Sequence, residues 1–237
     1  MDSKPNFLKI FKIINLMLPL ELETEVYPGD PKPQRHVFSD IDDGWEHYVH
    51  EVGDHNFMPH GDAPKHQNQD RQSDGFEFFD SSFCFNQACL IDLSGVSEAK
   101  ERDGIKYLIA ITKNHLLPYV ELIPKRGAVI IRTGYDKWLE ANKAHIPENI
   151  PYFTKEAAEF IASFDNLKVI GIDSITVDPV GKHDSHQALK DLLIVESLPY
   201  LGCIPKSNRN EFIFQSTPIK IKGATGGPIA AYAFITQ

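Results

Sequence analysis

The sequence predicts an α/β fold: a single domain with a mixed β-sheet and flanking helices. Three observations carry that expectation. Four short runs, Ala88–Leu93, Ala128–Gly134, Leu167–Asp173 and Leu193–Glu196, are largely apolar, several of them rich in β-branched residues, as suits strands covered on both faces. Helix-start chemistry stands between them, at Thr112 and Thr154. Strand-like runs occupy both ends, at Ile10–Leu18, Phe212–Ile221 and Ile229–Thr236. Alternating strands and helices in the middle with strands outside argue for a mixed sheet rather than a parallel one. No repeat, low-complexity tract or linker interrupts the chain, so residues 1–237 are expected to form one domain.

Taken in order, Ile10–Leu18 alternates imperfectly between apolar and polar residues and reads as a strand. Tyr27-Pro28-Gly29-Asp30-Pro31 is a turn by its chemistry. Trp45–Val52 is strand-like and runs into Asn56–His66, where Pro59, Gly61 and Pro64 predict a rigid loop rather than a helix or core strand. Gln67–Ser82 is polar with scattered phenylalanines and reads as loop or short helix. Thr112 is expected to cap a helix through Leu122, ending near Pro124. Thr154 caps another, on which Ala157, Ala158, Ile161 and Phe164 share a face. A turn follows at Asp178-Pro179, then a short helix over His186–Leu192, and a glycine-rich stretch, Lys222–Pro228, joins the last two strands.

The net charge of −9 and the lack of a basic cluster argue against a nucleic-acid partner. Cys84, Cys89 and Cys203 are odd in number and lack a CxxC spacing, so free thiols in a reducing compartment are expected. The apolar-rich run Phe7–Leu20 is broken by Lys9, Lys12 and Asn15 and is too short to span a bilayer. A cytoplasmic protein without membrane contact is the expectation.

The chemistry concentrates in Asn56-Phe57-Met58-Pro59-His60-Gly61-Asp62-Ala63-Pro64-Lys65-His66. His60 and Asp62 are two apart, so an extended backbone sends both side chains to the same face. Imidazole nitrogen and carboxylate oxygen suit borderline divalent metals, and three or four ligands are needed, so others must come from elsewhere. A solvated loop rich in His and Asp, with His47, His50 and His55 nearby, has the same local composition.

The landmarks together resemble the cyclase-like metal-dependent hydrolase family, which includes bacterial kynurenine formamidases and isatin hydrolases. The family signature, His-x-Gly-Thr-His-x-Asp-x-Pro-x-His, aligns without gaps to Asn56 through His66. Similar blocks are Tyr27–Pro31, Arg132–Tyr135, Gly171–Pro179, His186–Leu189, Glu196–Leu198 and Pro218–Gly223, in the family's order over nearly the whole chain. The departures are Asn56 for the first histidine and Met58-Pro59 for Gly-Thr.

The resemblance implies a swivelling β/α/β cyclase-like fold and a homodimer or larger assembly. It also implies a metal set of Asn56, His60, Asp62, His186 and Glu196, holding zinc or manganese, with His66 beside it. His183 competes with His186 for the same place. His55 is adjacent to Asn56, but a one-residue shift on a strand turns a side chain to the opposite face, unless a bulge, which the sequence does not demand, restores it. An amide oxygen in place of an imidazole makes the site harder and implies a weakened or single-metal centre.

A small amide or lactone is the expected substrate, with arylformamidase-like hydrolysis of N-formylkynurenine as the leading reaction. His66 is the expected general acid/base and Glu196 shares the catalytic work. The other expectation is a degenerate member that binds a small molecule or protein without turnover. Asp30, Asp92, Asp173 and Asp178 read as turn or strand-end residues. His36, His47, His50, His115 and His145 read as structural or exposed. Trp45, Phe76, Phe78, Phe79 and Phe83 suit either an aromatic pocket or an ordinary core.

Overall fold

A computed structural model describes residues 11–23, 26–141 and 149–236. Ile10 and His145 lie outside the described residues, as does the start of the N-terminal apolar run.

One mixed sheet organises the chain. Its strands are β1 (Phe11–Asn15), β2 (His60–Asp62), β3 (Phe85–Asp92), β4 (Ala128–Arg132), β5 (Val169–Ile172), β6 (Leu193–Glu196), β7 (Phe212–Pro218) and β8 (Gly226–Thr236). The order is β1-β8-β7-β3-β4-β5-β6-β2, and β2 also pairs with β8. The seven strands from β8 round to β2 therefore close on themselves, and β1 lies along the free part of the same β8 edge. Strands β3 to β6 are parallel, and every pairing that involves β1, β2, β7 or β8 is antiparallel.

The parallel strands are the apolar runs seen in the sequence, and alternation divides each between two cores. Ala128 and Ile130 of β4 join one cluster with Leu90, Val169, Val195 and Phe214. Val129 and Ile131 join the other, with Ile170, Ile172 and Ile194. Helix α3, Lys155–Ala162, covers that second face. Thr154 accepts the Ala157 N–H at its N-terminus, and Ala157, Ala158 and Ile161 are buried as expected. The remaining α-helices are α1 (Lys113–Leu116), α2 (Asp136–Ala141) and α4 (Asp184–Ala188).

Several expectations need correction. The helix expected from Thr112 to Leu122 is one α-turn followed by 3₁₀ turns at Leu117–Tyr119 and Ile123–Lys125, because Pro118 cannot supply an N–H to continue it. The helix expected over His186–Leu192 lies earlier, at Asp184–Ala188. Helix α2 and the strand Gln34–Ser39 carried no clear period; that strand pairs with His47–Glu51 in a separate hairpin. His60–Asp62 is a paired strand rather than a loop. Phe76, Phe79 and Phe83 belong to the core, whereas Trp45 and Phe78 are exposed.

Candidate metal centre

Strand β2 is three residues long and runs between β6 and β8. Its register with β6 sets His60 opposite Glu196 and Asp62 opposite Ile194. His60 and Asp62 leave on one face, and Gly61 faces the other. A Cβ on Gly61 would lie 2.9 Å from the Ile229 side chain and 3.1 Å from that of Leu193. Only glycine lets β2 enter this gap undistorted.

The second half of the chain supplies the other side of the site. Glu196 ends β6, and its Oε1 accepts the Val177 N–H at 2.7 Å. Ser197 follows with φ of 60°, a conformation costly to a residue carrying a Cβ, at the wall of the cavity. Helix α4 presents His186, whose Nδ1 lies 2.6 Å from Asp178 Oδ2. Asp178 also accepts the Ser185 and His186 backbone N–H groups, so it caps the first turn of α4 and aims the imidazole together.

These groups converge. His60 Nε2 is 3.2 Å from Glu196 Oε2, and His186 Nε2 is 3.0 Å from Asp62 Oδ2 and 3.5 Å from Glu196 Oε1. His60 Nδ1–H donates to the Phe57 carbonyl, which leaves Nε2 for the site. His60, Asp62, His186 and Glu196 are each under 5 % exposed. His55 Nδ1 lies 3.0 Å from Asp62 Oδ1, and the His66 ring lies 4.2 Å from that of His55, tilted by 36°. Among the described residues, two groups of donor atoms are close enough to hold a cation: His60, Asp62 and Glu196; and His55, Asp62 and His66. Asp62 is common to both.

Charge behaviour follows from this packing. Burial alone would raise the Asp62 pKa, but hydrogen bonds from His186 and His55 outweigh it and hold the carboxyl well below the usual range. Burial likewise opposes a proton on His186, yet Asp178, Asp62 and Glu196 together raise it well above an ordinary imidazole. His60 is also raised: burial opposes this, and the bond to Glu196 and the Asp62 charge overcome it. Burial pushes His66 the other way, down to about 4, with the Asp62 charge opposing only part of it. The donor set fits a divalent cation. Buried carboxylate oxygens and imidazole nitrogens face one another here, and a cation among them would compensate the carboxylate charge.

Of the expected residues, the fold brings His60, Asp62, His66, His186 and Glu196 together. Asn56 is buried at the same cavity, but its Oδ1 accepts the Gly53 N–H at 2.8 Å and closes its own turn. His55 reaches the site despite its position next to Asn56. The alternation argument assumed a strand, and residues 52–56 are not one. Asp178, taken as a turn residue, aims His186. Its signal was present: a carboxylate in a Pro-containing turn shortly before a histidine that opens a helix. His183 stays outside, bonded to Gln67. A cavity of about 250 Å³ opens beside the cluster, with Tyr27, Phe57, Met58 and Ile175 as apolar lining.

The sequence model of the Cyclase family matches residues 14–179. The chain belongs to that family. The matched span ends before His186 and Glu196, so their place in the site rests on the geometry above.

Solved structures agree on the fold of this cyclase-family chain. An isatin hydrolase bound to the product analogue thioisatinate superposes with a TM-score of 0.78 at 20 % identity, covering 98 % of this chain and 95 % of that one. Isatin hydrolase A from Labrenzia aggregata, bound to benzyl benzoate, gives 0.76 at 19 % identity, with 96 % and 94 % covered. A protein from Bacillus stearothermophilus described as a predicted metal-dependent hydrolase gives 0.68 at 18 % identity, with 94 % and 98 % covered. No curated protein matches the chain.

Proposed function

We propose that this cyclase-family chain is a metal-dependent hydrolase of a small amide, arylformamidase-like, with N-formylkynurenine or a cyclic amide or lactone as substrate. The observation that carries this reading is the meeting of Asp62 with His186 and of His60 with Glu196 at 3.0 and 3.2 Å across 124 and 136 residues of sequence. Two structural neighbours are isatin hydrolases, and one of them holds a product analogue, which supports a hydrolytic use of the fold.

His60, Asp62, His186 and Glu196 would hold a divalent cation, zinc or manganese, with His55 supplying the imidazole that Asn56 lacks. Bound there, the cation would polarise the substrate carbonyl and lower the pKa of a water to roughly 7. The chain's own residues do the rest. His66, kept neutral by burial, takes a proton from the attacking water and hands it to the leaving amine. Tyr27, Phe57, Met58 and Ile175 exclude water and hold an aromatic ring against the cluster. Asp178 holds His186, and Val177 N–H holds Glu196.

One observation favours the other reading, a degenerate binding module: the Asn56 amide oxygen is already used by Gly53. A single assay separates the two. Protein loaded with zinc or manganese is expected to hydrolyse formylated aryl amines or simple lactones and to lose turnover when chelated. Metal-loaded protein that turns over none of them would leave only the binding function.

A homodimer or larger assembly belongs to the same proposal. The hairpin Gln34–Ser39/His47–Glu51 carries Phe38, Ile41 and Trp45, each at least half exposed, and a lone hairpin is marginal in water. A cytoplasmic location and a single hydrolase domain over 1–237 complete it. They are supported by the free state of Cys84, Cys89 and Cys203 and by a sheet that takes strands from both halves of the chain. Among the described residues no helix is long and apolar enough to cross a membrane.

A further inference from the structure

Phe57 and Met58 line two spaces at once. One is the cavity of about 250 Å³ beside the cluster; the other is a groove of about 200 Å³ walled by Leu18, Leu20, Ile219 and Ile229 among others. A segment that borders two spaces is the partition between them. Its backbone is pinned from the groove side. The Leu18 N–H donates to the Met58 carbonyl at 2.8 Å, and the Ile229 N–H donates to that of Pro59 at 3.3 Å. Phe57 is held from the cluster side, where its carbonyl accepts His60 Nδ1–H. The Met58 side chain is therefore the part of the partition that can be cut back while the backbone keeps its anchors. It is half-buried and packs against an apolar cluster that includes both Leu18, from the groove, and Ile175, from the cavity. An unbranched thioether fills an irregular gap of this kind.

We propose that Met58 is a specificity-determining residue: its side chain ends the catalytic cavity and limits the substrate to a compact aromatic ring without an extended apolar substituent. The partition stands on geometry alone; its use in choosing a substrate rests on the hydrolase reading. Beyond the methionine the available space changes character. Every side chain that lines the groove is apolar, whereas the cavity also carries Asp30, Lys182 and the cluster. Ile219 is 57 % exposed, so the far end of the groove opens to solvent. A linear hydrocarbon on the ring would be buried there once the thioether is shortened, and each added CH₂ favours that placement. The same shortening removes a wall from the compact ring. The two classes of ligand should therefore respond in opposite directions, which a general loosening of the site would not produce.

The test measures binding of ortho-aminobenzoate, and of the same compound carrying a linear hexyl chain para or meta to the amine, by the fluorescence of the probe. Zinc-loaded and metal-free protein are both used. The wild type is expected to bind the parent and to bind both hexyl compounds about tenfold or more weakly. Met58→Ala is expected to weaken the parent and tighten one hexyl compound, shifting the ratio of their affinities about tenfold or more. Met58→Val, a smaller cut, is expected to shift it part of the way, and it carries the test if the alanine variant does not fold. Adding Ile219→Trp at the open side of the groove to Met58→Ala is expected to reverse the shift. A wild type that binds parent and hexyl compounds alike would overturn the proposal, as would a ratio unmoved by either truncation. So would a shift that survives Ile219→Trp, or a parent that does not bind.

Formanilide and para-hexylformanilide carry the comparison into turnover by metal-loaded protein. The ratio of kcat/KM, hexyl over parent, is expected to rise about tenfold or more in Met58→Ala. A binding preference that switches in a protein without turnover overturns the hydrolase reading alone. Turnover of both compounds at an unchanged ratio overturns the role of Met58 alone.

Discussion

Asp178 decides which nitrogen of His186 faces the cluster. It takes the Nδ1 hydrogen and leaves Nε2 for Asp62 and Glu196. An outer partner of this kind is typically worth 10- to 100-fold in metal affinity. Asp178→Asn should therefore weaken zinc or manganese binding by about that factor in competition with a chromophoric chelator. Unchanged affinity would mean that α4 alone aims the ring. Sequence reasoning paired His60 with Asp62 by residue type and spacing, and the family resemblance implied His66, His186 and Glu196 beside them. It missed Asp178 because a carboxylate that caps a helix turn and one that orients a ligand read alike. It set His55 aside because the face of a residue is fixed by backbone state, and the turn at 53–56 breaks the alternation.

At the scale of elements, the parallel strands were legible because burial on both faces leaves an uninterrupted apolar run. Strand β2 was not legible: three residues, two of them polar, carry no period, and its partners are more than 120 residues away. Its seat depends on Gly61. Gly61→Ala should cost about 1–3 kcal/mol, since Ile229 and Leu193 must move aside. Urea unfolding would measure it, and adding Ile229→Val should restore part of the loss. An additive double variant would show that the methyl finds room without Ile229. The hairpin Gln34–Ser39/His47–Glu51 also escaped detection as a pair, and its register slips between Val37 and Ser39. An irregular ladder leaves an irregular pattern.

For the whole molecule, the hairpin is the part least explained by a lone chain. Phe38, Trp45 and His47 cluster on it with centroids 5.0–6.1 Å apart, and Phe38 is 67 % exposed. A second apolar surface, a groove lined by Met17, Leu20, Phe57, Met58, Pro59 and Ile219, lies elsewhere on the same chain. Replacing Phe38 and Trp45 together by Ser should convert the proposed homodimer to monomer, read as a halved mass by light scattering after size exclusion. A wild-type mass already equal to one chain would end the homodimer proposal.

The seating of β2 by β8 has a consequence for biosynthesis. His60 and Asp62 emerge from the ribosome early, yet the strand that flanks them on one side is the last of the sheet to be made. A nascent chain that has already displayed every ligand still lacks the wall that holds two of them in line. On the proposed metal role, cation capture is expected only after β8 has been made.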